Sequence, residues 1–144
     1  AWIISAVLPM TEQNALSIGL NAATRPGPAE ALARARRTGD VAVTGPIELV
    51  QLPGEPAIVA YMPVVRDGEL LGFIGTSYLM KDLAVPMRGR DPIALPYRMF
   101  DAAVPDTVLA QAGTMGELLM RRNVSFGGRS WIAEFGWPPG AGRQ

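Results

Sequence analysis

The sequence predicts an α+β fold, an antiparallel sheet with flanking helices, on three observations. A helical run from Ala29 to Thr38 stops at Gly39. Two long apolar segments, Ala57–Val65 and Leu70–Leu79, flank a polar Arg66-Asp67-Gly68-Glu69 tip that carries the favoured hairpin pair. Further short apolar segments follow, bounded by Gly and Pro, as strands of a meander are.

Taken in order, Trp2–Met10 is apolar with few breaks and predicts a buried strand ending at Pro9. Thr11-Glu12-Gln13-Asn14 reads as a polar loop and Ala15–Leu20 as a short second strand. Asn21–Pro28 leads into the helix, with Pro28 tolerated in the first turn and Glu30 placed to suit the helix dipole. Leu32 and Ala35, or Ala31, Ala35 and Thr38, supply the inward stripe, and Gly39 the C-terminal stop. Val41–Gln51 is a strand that must bend at Thr44-Gly45-Pro46, because proline cannot donate to a ladder. Leu52–Pro56 reads as a turn, Ala57–Val65 and Leu70–Leu79 as the hairpin, and Met80–Val85 as a short helix. Met87–Ile93 is a connection, followed by strands at Ala94–Asp101, Thr107–Ala112, Met120–Phe126 and Ser130–Phe135, the last two around Gly127-Gly128-Arg129. Gly136–Gln144 is Pro- and Gly-rich and expected to fray. Roughly seven strands and two helices suit a PAS-like layout, a five-stranded antiparallel sheet with helices across it.

Composition narrows the function. The 144 residues suffice for one domain; 49% are hydrophobic and 18% charged, so the chain can build a core. The formal net charge is zero, which removes any general electrostatic reason to bind nucleic acid or an anionic surface. Twelve of the thirteen basic residues are Arg, only Lys81 being Lys. Cysteine and histidine are both absent, which excludes disulfides, thiolate zinc sites and every triad built on His. Asp101, Asp106 and Glu117 lack calcium-loop spacing, and Gly127-Gly128 lacks the Gly-Lys-Ser/Thr ending of a phosphate loop. No metal, cofactor or catalytic residue is expected. No apolar run approaches the ~20 residues of a membrane span, and no signal peptide is visible. The chain opens at Ala1-Trp2-Ile3-Ile4 without Met and reads as a piece of something longer.

An ordered series of residues carries a family resemblance: Pro9 and Asn14, Ile18-Gly19-Leu20-Asn21, Ala33-Arg34-Ala35-Arg36 with Thr38-Gly39, and Val43-Thr44-Gly45-Pro46 with Leu49 and Gln51. Tyr61-Met62-Pro63-Val64-Val65, Leu71-Gly72-Phe73-Ile74-Gly75 and Gly128-Arg129-Ser130-Trp131 continue it. In these the chain resembles the CHASE domain, the extracytoplasmic sensory module of many histidine kinases and diguanylate cyclases and of plant cytokinin receptors. The likeness is close over 8–83 and thin over 84–127. Two departures stand out: Asn21 occupies a place where the family usually has Asp, and the preceding helical stalk is missing.

The resemblance implies a single sensor domain over residues 1–136 with a flexible tail at 137–144. It would be the periplasmic part of an inner-membrane protein, signalling to a cytoplasmic output enzyme and dimerising through the missing stalk. The expected partner is a small molecule, with no nucleic acid. The Thr11-Glu12-Gln13 loop falls near an acidic ligand contact of cytokinin-binding relatives, which makes Glu12 a candidate acceptor, against the plain reading of a solvated carboxylate. Val43 and Thr44 lie at the strand bend, where they either meet a ligand or simply form a bulge. Tyr61 and Phe73 either line the pocket floor or pack. Gly75 and Thr76 either allow close backbone approach or mark a twist. Arg34, Arg36 and Arg37 could hold an anion, but helix-dipole complementarity already accounts for them. Two other functions compete. A protein-interaction module of the same PAS-like fold would expose Leu16, Ile18, Val64 or the Met87-Arg88 loop. An enzyme would have only carboxylate, Lys81 or hydroxyl chemistry to work with.

Overall fold

In the computed structural model, residues 1–84 and 95–141 are described, and the chain divides into two compact units, Ala1–Ser77 and Tyr78–Gln144. The fold class is the expected one, antiparallel sheets with a few helices.

The N-terminal unit departs from expectation over its first twenty residues. Trp2–Met10 is not a buried strand. It makes one isolated bridge, Ile3 to Asn21, and leaves Leu8 91% and Met10 61% exposed. An apolar run becomes a strand only where a ladder partner exists, and here the pairing stops after Ile4, whose N–H reaches Leu20 O at 2.9 Å. The predicted polar loop is instead a one-turn helix, α1 (Glu12–Ala15). Thr11 caps it, its hydroxyl accepting the Asn14 N–H at 3.0 Å. The predicted strand Ala15–Leu20 is a set of tight turns: Ser17 N–H bonds Asn14 O, Ile18 N–H bonds Ala15 O, and Gly19 sits at φ 85°. Local capping outcompetes the apolar alternation there.

After a 3-10 turn at Ala22–Thr24, helix α2 (Pro26–Thr38) starts two residues before Pro28, with Pro26 in its first turn. Glu30 therefore lies in the second turn, where it pairs with Arg34 rather than with the dipole. Gly39, at φ 75°, returns its N–H to Ala35 O in the left-handed conformation a glycine takes at no steric cost. Pro28, Ala31, Leu32 and Ala35 form the buried stripe; Thr38 is exposed.

Four strands follow. β1 (Ala42–Val43) and β2 (Ile47–Leu49) both pair with β3 (Leu52–Arg66), separated by the predicted bend at Thr44-Gly45-Pro46. The predicted Leu52–Pro56 turn falls inside β3. The chain reverses at Val50-Gln51 instead, since Leu49 pairs with Leu52. β4 (Glu69–Leu79) returns along β3 after the Asp67-Gly68 turn, whose φ values of 51° and 79° are those of the primed hairpin turn. Alanines 31, 35 and 42 bring α2 close to the sheet, and Tyr61 and Phe73 pack against them.

The C-terminal unit begins with the end of β4 and α3 (Met80–Ala84), then β5 (Tyr97–Asp101), β6 (Val104–Ala112), β7 (Leu118–Phe126) and β8 (Arg129–Gly136). The predicted connection Met87–Ile93 lies outside the described residues. The sheet order is β6-β5-β8-β7, all antiparallel, with the β7–β8 hairpin closing at Gly127-Gly128. Among the described residues there are thus eight strands in two four-stranded sheets, where the sequence suggests about seven around one five-stranded sheet. Adjacent hairpins are set locally, but how many share one sheet depends on pairings between distant strands. Beyond β8, Trp137 exchanges backbone hydrogen bonds with Gly116 and Glu117, and Ala141 N–H reaches Pro138 O.

Candidate functional site

The N-terminal unit builds a groove along one flank of α2, between its buried stripe and its exposed side. Helical spacing aligns Ala29, Leu32, Ala33, Arg36 and Arg37 along one side, and Trp2 forms the opposite wall, with Ala23 at one end. The groove encloses about 380 Å³. Trp2 is held from three directions: its N–H donates to Asn21 Oδ1 at 2.9 Å, its carbonyl accepts the Ala22 N–H, and its indole meets Phe73 edge to face. Asn21 Oδ1 also accepts the Ala23 N–H at 3.1 Å. The position calls for an acceptor, which the Asn side-chain oxygen supplies.

Charge around the groove is uneven. Arg34 is tied to the Glu30 carboxylate and, at 2.6 Å, to Val43 O. Arg36 and Arg37 are exposed and, among the described residues, have no hydrogen-bond or ion-pair partner.

The candidate residues read from the sequence fall in several places. Glu12 is exposed on α1, which Gln13 fastens to the β2–β3 turn through Gln51 O. Val43 and Thr44 are wholly buried. The Thr44 hydroxyl accepts the Val59 N–H at 3.0 Å while Thr44 N–H donates to Val59 O, so this pair carries the β1–β3 ladder through the bend. Register sets Val43 opposite Ala60, on the other sheet face from the Ala42–Tyr61 pair. Tyr61 and Phe73 pack against the buried alanines of α2 and β1, and exposed Gly75 lies beside the Tyr61 ring: a side chain there would meet Tyr61 Cε1 at 3.1 Å. Burial holds the Tyr61 hydroxyl above its ordinary pKa, with the Arg25 charge offsetting part of that, so the ring stays neutral. Thr76 is exposed on β4. Trp2 and Leu32 were not singled out by sequence as site residues. The helical spacing of small and basic residues on α2 was the available signal, but the indole opposite them comes from a segment the sequence disguises as a strand.

The C-terminal unit has a smaller hollow of about 160 Å³ between its hairpin turns, edged by Asp101 and Arg129. Its polar groups are already engaged. Arg129 donates to both carboxylate oxygens of Asp101, at 2.9 and 2.8 Å, and Ala103 N–H adds a third bond. Among the described residues no cluster of acidic side chains could hold a metal. No helix is long and apolar enough to cross a membrane, again among the described residues.

The CHASE domain family matches residues 1–111, and the chain belongs to this family. It is a sensory domain, and the domain itself is not an enzyme. Among solved structures it is similar to the ligand-binding domain of the amino acid chemoreceptor PctC of Pseudomonas aeruginosa PAO1, in complex with GABA. The two are 15% identical with a TM-score of 0.53, a likeness of fold, covering 89% of this chain and 63% of that one. The chain thus spans less than two thirds of that domain. A comparison with curated proteins finds no match.

Proposed function

We propose that this chain is the extracytoplasmic ligand-binding part of a transmembrane signalling receptor, a histidine kinase or diguanylate cyclase, with residues 1–136 acting as its sensory module. It binds a small molecule and passes a conformational change to an output enzyme elsewhere in the protein, which is anchored in the inner membrane and pairs through a stalk. The observation that carries this reading is the contact of Trp2 with Phe73, a ring that packs, as Tyr61 does, on the buried alanines of α2 and β1. It joins an open groove to β4, the strand that runs directly into α3. A ligand that moves the indole is thereby felt on the strand leaving the N-terminal unit. Tyr61, Phe73 and Gly75 belong to the responding surface, and Glu12, Val43, Thr44 and Thr76 are its further candidates.

Thermal-shift screening tests the proposal. The PctC domain's complex with GABA makes amino acids and their analogues the first set to try. A ligand that binds only the folded state at a hundred times its Kd adds about 2.7 kcal/mol of stability, a readily measured rise in Tm. Silence across a broad metabolite library would favour a protein-interaction module instead. Leu16 and Ile18, 60% and 39% exposed, give that reading its surface.

A further inference from the structure

We infer that the groove between Trp2 and α2 is a binding site for a small anion with a flat or extended apolar body, an aromatic or fatty carboxylate. The inference rests on the reading of this chain as a small-molecule sensor and names the chemistry that such a site selects. Its volume, about 380 Å³, lies within the range of ligand pockets. Its walls are the Trp2 indole, Leu32, and the methyl groups of Ala29 and Ala33, while both polar side chains at its end, Arg36 and Arg37, are cationic. Among the described residues no carboxylate lines it. Arg34, on the same helix, is neutralised by Glu30, whereas Arg36 and Arg37 have no partner among the described residues. Dipole complementarity explains why arginines are tolerated in the last turn of α2. It does not explain why the two unpaired ones border an apolar trough faced by an indole fixed on Asn21 and Phe73. A carboxylate supplies the missing charge through the guanidinium forks, and its apolar body lies along Ala29 and Ala33 opposite Trp2. The small residues at 29 and 33 keep the trough open.

The test is a titration of the chain followed by the Trp2 indole N–H resonance, assigned with Trp2→Phe. The probes are phenylacetate, indole-3-carboxylate and octanoate, with phenethylamine as the cationic counterpart. The anions are expected to shift the resonance saturably and phenethylamine not. The double variant Arg36→Gln/Arg37→Gln should weaken binding at least tenfold, and raising salt from 0.05 to 0.5 M should weaken it several-fold. Ala33→Leu, at an exposed position, should block binding by filling the trough while leaving the melting curve in place. Absence of any anion-induced shift, or binding indifferent to all three substitutions, overturns the inference. If metabolites still raise Tm in the variants, the sensor reading survives and only the groove assignment fails. If nothing in the library raises Tm either, both fail.

Discussion

The indole of Trp2 meets the ring of Phe73 at a centroid distance of 4.7 Å and an interplanar angle of 87°, an edge-to-face contact between the first residues of the chain and β4. Such pairs contribute roughly 0.5–1.5 kcal/mol beyond the area they bury. The Trp2 wall of the groove thus rests against a side chain seventy-one positions away in sequence, on β4.

Phe73→Ala should lower stability by about 2 kcal/mol, below the range for a fully buried Phe because this residue is only partly buried. Urea unfolding measures it. Phe73→Leu should recover part of the loss but not the edge-to-face geometry, so the Trp2 indole resonance should stay displaced in both variants. An unmoved resonance in Phe73→Ala would show that Trp2 is held by its backbone bonds alone.

Gly75→Ala tests the close approach under Tyr61. Its φ is not in the left-handed region, so the backbone accepts alanine; the obstacle is the ring, 3.1 Å from the new Cβ at Cε1 and 3.3 Å at Cδ1. Displacing it should cost on the order of 1–3 kcal/mol. In a double-mutant cycle Tyr61→Leu should relieve most of that cost. A neutral Gly75→Ala would mean the ring has room to swing.

Thr44→Val removes the acceptor of the Val59 N–H within a fully buried position and should destabilise by about 1–3 kcal/mol. Thr44→Ser keeps the acceptor and loses only a methyl, about 0.8 kcal/mol. If the groove on α2 is the site, neither change alters anion affinity. A loss of affinity at equal folded fraction would move the ligand to the strand bend.

Glu134 sets the acid response of the C-terminal sheet. It is 0% exposed on β8, in register with Arg98 on β5 and Arg121 on β7, and both guanidiniums bond its carboxylate. Burial alone would raise its pKa; the hydrogen bonds and charges of Arg121 and Arg98 outweigh that and hold it below the ordinary carboxylate range. A depressed folded-state pKa contributes stability that is present above the unfolded value, about 4.5, and is lost as pH falls through the folded one. Denaturation of wild type and Glu134→Gln between pH 6 and 3 should show the wild-type advantage shrinking below about pH 4.5. A constant difference across that range would show that the carboxylate charge is not what the arginines hold.

Much of the fold is legible in the sequence, and the parts that are share a cause. Helix α2 with Gly39, the Asp67-Gly68 hairpin, the bend at Thr44-Gly45-Pro46 and the Gly127-Gly128 turn all rest on backbone preferences of two to four adjacent residues. Family membership was legible too, from an ordered series of such pieces. The errors are of another kind. Trp2–Met10 is apolar enough for a strand but lacks a neighbour to pair with, and Ala15–Leu20 alternates like a strand but follows a Thr11 cap. In both, the deciding interaction lies outside the segment.

By itself the sequence determined the fold class, the absence of histidine and cysteine chemistry, and the places where the chain turns, because these follow from composition and short-range geometry. Tertiary structure alone decided that the strands form two sheets, that Thr44 turns its hydroxyl into the ladder, that Glu134 is buried between two arginines, and that Trp2 stands across from Arg36 and Arg37. Each of these depends on which distant segments meet, and burial, pairing and the walls of a groove exist only once they have met.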